Sequence, residues 1–234
     1  ASSKLKKPAF CYNFDSRNVN ELILEAPSQV VFDITVQGKA AHAGVHPEQG
    51  ISAALIFAQA LSDIKERGYF GGIDRRGKRA ATANIGVVKG GTASNVVMDT
   101  LYARGEIRSY STPLLKRILK AYRSSFEKAA ARLKNQTGTA GSVTFDEESV
   151  YLTFSVPRSS PAVKKLTRVL RMQGMEPVFK QRQFGGLDAN WICTYGIPTV
   201  TLGAGEMNPH TLDEKLHIPA FIAGCGTALE LARE

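Results

Sequence analysis

Between Gln29 and Gln37, Val30, Phe32, Ile34 and Val36 alternate with Val31, Asp33, Thr35 and Gln37. A period of two sends successive side chains to opposite faces, so this segment predicts a strand with one buried face. Gly38 ends it, and the loop 38–50 (GKAAHAGVHPEQG) follows. The period then becomes helical, with Ile51, Ala54, Leu55, Ala58 and Leu61 on one stripe until Gly68 stops it. Residues 80–88 (AATANIGVV) and 97–108 (VMDTLYARGEIR) read as two more strands. Pro113 opens a second helix near its first turn, with Leu115, Ile118, Tyr122, Phe126, Ala129 and Leu133 on its apolar face. Residues 142–151 (SVTFDEESVY) suit a closing strand. The order from 29 to 151 is β-α-β-β-α-β, the ferredoxin-like arrangement of one antiparallel sheet with two helices on one face.

The flanks follow another rhythm. Residues 8–15 (PAFCYNFD) are an apolar run ending in Asp15, read as a buried strand with a polar tip, and residues 22–24 suit a short second strand. Residues 161–174 form an amphipathic helix, 177–183 a strand, FGGLDANW leads into a helix, 197–202 (IPTVTL) is an all-buried strand, and 219–231 is a helix. This is an α/β alternation with too few strands for an independent doubly wound sheet. The expected organisation is therefore an α/β domain, incomplete in this chain, built from 1–27 and 153–234, with the ferredoxin-like domain 28–152 inserted between them.

Composition changes little. The chain has 234 residues, 43% of them hydrophobic and 22% charged, which excludes a disordered chain. No run approaches a membrane span, and ASSKLKKPAF has no signal-peptide core. Three Cys are too few for a disulfide scaffold, so a reducing, cytoplasmic setting is expected. The net charge is +9, and its densest patch is Arg75, Arg76, Lys78 and Arg79, which reads as a solvated loop tip. Nucleic-acid binding by a ferredoxin-like sheet needs clustered aromatics. Phe32, Tyr102 and Phe145 are too sparse for it, and no nucleic-acid or membrane partner is expected.

Candidate chemistry is concentrated at a few positions. His42 lies among Ala40, Ala41, Ala43 and Gly44, where an imidazole can project as a hydrogen-bond donor or general acid, or stand idle in a loop. His210 follows the turn LGAGEMNPH after the strand 197–202, and strand C-terminal ends of α/β sheets are where ligands bind. A metal ligand, an acid–base group or a structural residue all suit it. Asp15 also ends a strand and could ligate a metal or cap a turn. Arg108 could grip a carboxylate in a fork or form a surface ion pair. His46 and His217 read as surface or structural, Glu147 and Glu148 as solvated, and Cys11 and Cys193 as inert. No Walker loop, dinucleotide fingerprint, CxxC or GxSxG motif occurs.

Five segments in order carry a resemblance: GKAAHAGVHPEQGISA (38–53), GGTASNVV (90–97), GEIRS (105–109), GGLDAN (185–190) and GIPTVTLGAGEMNPHT (196–211). The set resembles the di-zinc aminopeptidase, carboxypeptidase and deacylase family, in its peptidase T-like branch. The resemblance implies a zinc-binding α/β domain with an inserted ferredoxin-like lid that commonly makes a homodimer. It implies Asp15 and His210 as one ligand to each of two zinc ions. It further implies His42 as the group polarising the scissile carbonyl, often across the dimer. Asn95 and Arg108 would bind the substrate's carboxylate end, and Gly203 and Gly205 the backbone that approaches substrate. The expected activity is zinc-dependent hydrolysis of an amide bond in a small peptide or N-acyl amino acid. The family's upstream ligands and general base are not in this sequence, so the chain alone is expected to be inactive. Leu187 stands where the family usually has a small polar residue. The alternative reading is a non-catalytic dimerisation module.

Overall fold

A computed structural model describes residues 7–73, 81–180, 182 and 184–233. The basic cluster Arg75–Arg79 lies outside them. The chain divides into two compact units, one formed by Ala1–Pro27 with Tyr151–Glu234 and the other by Ser28–Val150.

The first unit begins with β1 (Cys11–Phe14), β2 (Glu21–Leu22) and β3 (Glu25–Ala26). The chain then enters the second unit through β4 (Ser28–Gln37), α1 (Ala53–Glu66), β5 (Gly71–Ile73), β6 (Ala81–Gly90), β7 (Thr100–Ser109), α2 (Thr112–Arg132) and β8 (Ser142–Tyr151). These strands form one sheet in the order β5-β6-β7-β4-β8. The β4/β7 and β6/β7 pairs are antiparallel. The alternation read in β4 holds residue by residue: Val30, Phe32, Ile34 and Val36 are buried, while Val31, Asp33 and Thr35 are half-exposed on the other face.

Gly105 makes this core possible, because a Cβ there would lie 2.3 Å from the Phe32 ring and 2.4 Å from the Asn84 carbonyl oxygen. Phe32 meets Tyr122 edge-on at 5.1 Å and stacks on Phe145 at 5.4 Å. Two of the three sparse aromatics are thus core residues, while Tyr102 is bonded to Asp33. The Tyr122 hydroxyl donates to the Tyr69 carbonyl at 3.0 Å, and burial pushes its pKa well up.

Both helices start on serine caps: Ser52 Oγ accepts from the Leu55 N–H and Ser111 Oγ from the Leu114 N–H. The α2 apolar face is as expected from Leu115 to Ala129. The α1 stripe is not. Ala53, Ile56, Ala60 and Ile64 are its buried residues, and Leu55 is 45% exposed. The segment AALIFAQAL is apolar around most of its circumference, so periodicity admits two stripes. The one carrying both isoleucines faces the core.

The first unit resumes with β9 (Phe154–Ser155), α3 (Pro161–Met172), β10 (Val178–Phe179), α4 (Asp188–Thr194), β11 (Thr199–Leu202), β12 (Glu206–Met207), β13 (Lys215–Leu216) and α5 (Ile218–Arg233). Of the strand expected over 177–183, the described residues show Val178–Phe179 as strand, and residues 181 and 183 lie outside them. β1 runs parallel to β11, β2 parallel to β10, and β3 antiparallel to β9. β11 is wholly buried, with β1 on one side and an Ile23 bridge to Thr201 on the other. β1, read as a buried strand, is only half-buried, because no strand among the described residues covers its outer edge. Trp191, Tyr195, Ile218 and Ile222 are each more than half exposed in the same unit. Among the described residues the parallel strands form only separate two-stranded pairs, fewer strands per sheet than a stable parallel sheet normally has. Cys11, Cys193 and Cys225 are free thiols, and burial pushes the Cys193 thiol up. No helix among the described residues is long and apolar enough to cross a membrane.

Candidate functional site

Within the second unit, backbone bonds between two loops assemble the first pair of predicted residues. The Ala43 N–H donates to the Asn95 carbonyl at 2.9 Å and the Val97 N–H to the Ala41 carbonyl at 2.9 Å. His42 thereby forms an isolated bridge with Val96. The loop can close this tightly because of Gly38, where a Cβ would lie 2.0 Å from the Ile51 carbonyl oxygen. Both the His42 ring and the Asn95 carboxamide are exposed. The Gly44 N–H donates to His42 Nδ1 at 3.2 Å. The neutral ring then carries its proton on Nε2, so the imidazole offers solvent a donor.

Arg108 lies near the opposite end of the sheet. The His42 and Asn95 loops join the sheet at its Thr100 end, where the Gly38 N–H donates to the Asp99 carbonyl. Arg108 is eight residues along β7, roughly 27 Å away at ~3.4 Å per residue. Its Nε and Nη2 meet the two Glu106 oxygens at 2.8 and 3.0 Å, and Gln29 Nε2 donates to Glu106 as well. Gln29 reads in the sequence only as a strand position and Glu106 only as part of GEIRS. The spacing of Glu106 and Arg108 does carry the signal, since i and i+2 on a strand share a face.

Within the first unit, the end of the β1/β11 pair gathers Asp15, Gly203 and Gly205. The Asp15 N–H donates to the Leu202 carbonyl, Gly203 N–H to Asn18, Ala204 N–H to Ser16 and Gly205 N–H to Arg17. Gly203 is required by this close approach, because a Cβ would lie 2.4 Å from the Asn18 backbone. Gly205 has φ +86°, and a Cβ there would lie 2.6 Å from the His217 carbonyl oxygen. The amides of both glycines are therefore committed inside the fold. His217 caps α5, with Nδ1 accepting the Ala220 N–H at 3.3 Å.

His210 lies eight residues beyond Leu202 with φ 63°, a left-handed conformation uncommon outside glycine. Its N–H donates to Glu214 at 2.9 Å. Among the described residues no three His, Cys, Asp or Glu side chains gather into a group that could hold a metal ion. Asp15 and His210 thus do not by themselves complete a catalytic zinc site, which normally uses three protein ligands. Leu187 precedes α4 and is partly buried against the first unit's core. A groove of about 730 Å³ between α3 and β10 is lined by Arg158, Lys164, Arg168 and Phe179, and touches none of these residues.

Residues 28–134 match the peptidase dimerisation domain of the M20 family. The uncharacterised protein YqjE of Bacillus subtilis is 34% identical over 215 residues, covering 92% of this chain and 54% of YqjE. The structure is similar to a tripeptidase of Staphylococcus aureus (TM-score 0.85, 30% identity, all of this chain and 60% of that one). It is also similar to the aminopeptidase PepT of Bacillus cereus (TM-score 0.82, 30% identity, 95% of this chain and 56% of that one). The chain spans about half the length of the curated relatives it matches. Residues 28–134 are thus an M20 peptidase dimerisation domain, from the family that the ordered motifs resemble.

Proposed function

We propose that this chain is part of an M20 exopeptidase that hydrolyses an amide bond in a small peptide or N-acyl amino acid. The observation that supports this best is the match of 28–134 to a peptidase dimerisation domain, flanked by Asp15 and by the Gly203–His210 turn at one strand end. Asp15 and His210 each supply one ligand to a pair of zinc ions whose remaining ligands lie in other polypeptide. The exposed apolar side chains of the first unit, Trp191 and Ile218 among them, are where that polypeptide seats. The 234-residue chain alone is inactive. His42 donates from Nε2 to the oxyanion that forms at the scissile carbonyl. Asn95 and Arg108 hold the substrate's carboxylate end, with Glu106 orienting Arg108.

A tripeptide spans only about 10 Å. It cannot reach from His42 and Asn95 to Arg108 of one chain across roughly 27 Å of strand. A homodimer, with one protomer giving His42 and Asn95 and the other Arg108, removes the difficulty. Mixing His42→Ala and Arg108→Ala forms of the complete protein tests this. Each alone is expected to be nearly inactive. Random mixing makes half the dimers mixed, each with one intact site of two, so about a quarter of wild-type activity returns. No recovery on mixing would place the whole site within one chain and reject the shared arrangement.

The dimer forms through the outer edge of β6. Beyond the three residues paired with β5, this edge is unpaired among the described residues and exposes Val87 and Val88. The other sheet edge, β8, carries Asp146, Glu147 and Glu148, which a two-fold copy would meet with like charge. Val88→Lys is expected to shift the protein toward monomer by at least about tenfold in dissociation constant, read by sedimentation. An unchanged dimer would move the interface elsewhere.

A further inference from the structure

The GGLDAN motif takes no part in the roles above, yet it contains Asn190, a fully buried carboxamide. Its hydrogen-bonding capacity goes to three backbone groups. Oδ1 accepts the Leu187 N–H at 2.9 Å, which caps α4. Nδ2 donates to the Pro27 carbonyl at 3.0 Å and to the Leu152 carbonyl at 2.7 Å. Those two carbonyls are not arbitrary. Pro27 is the last residue before the chain enters the second unit, and Leu152 is the second residue after it returns. One side chain therefore grips both connections.

Its surroundings act on the same two segments. β3 and β9 pair Glu25 with Ser155 and Ala26 with Phe154. Thr153 Oγ1 donates to the Ala26 carbonyl at 2.8 Å, and the Val156 N–H to the Leu24 carbonyl at 2.7 Å. Gly186, four residues before Asn190, faces the Tyr151 ring, and a Cβ there would lie 2.5 Å from it. The connections have no slack, since β4 starts at Ser28 and β8 runs to Tyr151.

We propose that Asn190 is a clasp: a positioning residue that holds side by side the two connections through which the chain leaves and re-enters its own unit. Only the catalytic consequence rests on the function proposed above. The clasp itself rests on the hydrogen bonds.

Asn190→Asp keeps an acceptor for the Leu187 N–H and a nearly identical shape, but its carboxylate cannot donate to Pro27 and Leu152. Thr153→Val is a milder variant that removes one bond between the same segments and keeps the shape. Hydrogen exchange on the full 234-residue chain is expected to quicken by about tenfold over residues 24–27 and 151–156 in Asn190→Asp, and less in Thr153→Val. Exchange in β11 and α3 stays at the wild-type rate. A rise spread evenly through β11 and α3 would make Asn190 an ordinary core residue and overturn the clasp, as would unchanged exchange at the connections. In the complete enzyme, Asn190→Asp is expected to lower kcat/KM by about tenfold or more. Exchange is read without catalysis, so a wrong assignment of function fails only the kinetic arm, while a wrong clasp fails the exchange arm.

Discussion

Phe32→Ala is expected to destabilise the Ser28–Val150 unit by about 3–5 kcal/mol, the usual range for removing a buried aromatic ring. The ring is fully buried and touches three structural elements at once. It belongs to β4, meets Tyr122 of α2 edge-on and stacks on Phe145 of β8. It also fills the space that Gly105 leaves open on β7. A cavity here cannot close cheaply, because the Tyr122 hydroxyl is tied to the Tyr69 carbonyl and both neighbouring rings hold their own packing. The chain has one tryptophan, Trp191, and it lies in the other unit. Tryptophan fluorescence therefore follows one unit, while far-ultraviolet circular dichroism follows both. In urea, the dichroism transition is expected to move to lower denaturant and the fluorescence transition to stay near its wild-type midpoint. A loss under about 1 kcal/mol would mean that the β4–α2–β8 contact is not the centre of this core.

What the residue pattern reveals follows from which physical term dominates locally. β4 is legible because four alternating apolar side chains have one way to be buried. α1 is legible as a helix but not in its facing, since its apolar residues surround most of its axis and only contact with the sheet selects Ile56 and Ile64. β1 reads as buried from composition, yet its burial depends on neighbouring strands that no local pattern records. The same division runs through the candidate site. The Glu106–Arg108 pair follows from strand geometry. The meeting of His42 with Asn95 does not, because it is made by main-chain bonds between loops fifty residues apart. Gly203 signals only a turn in the sequence, and its close approach to Asn18 needs a chain segment nearly two hundred residues earlier. Asn190 is the clearest case. Nothing about an asparagine in a short helix indicates that its partners are the carbonyls of two distant connections.

His42→Ala in the complete enzyme is expected to lower kcat by about 10²–10³-fold, the typical effect of removing one donor to a developing oxyanion. The expectation rests on how the ring is held. Gly44 occupies Nδ1 from the backbone, which leaves Nε2–H as the outward donor. The loop is fixed to the Asn95 segment by main-chain bonds, so the donor is positioned before substrate arrives and needs little reorganisation during reaction. Ala40, Ala41, Ala43 and Gly44 leave no bulk to obstruct it. An interaction made mainly with charge that develops in the transition state changes kcat and leaves KM nearly constant. Steady-state kinetics separates the alternatives. A raised KM with unchanged kcat would make His42 a ground-state contact to the substrate, and unaltered kinetics would make it a loop histidine with no part in the reaction. The loss should also be recoverable in trans by a protomer that has His42 but lacks Arg108, whereas a His42→Ala, Arg108→Ala double variant should rescue neither single variant.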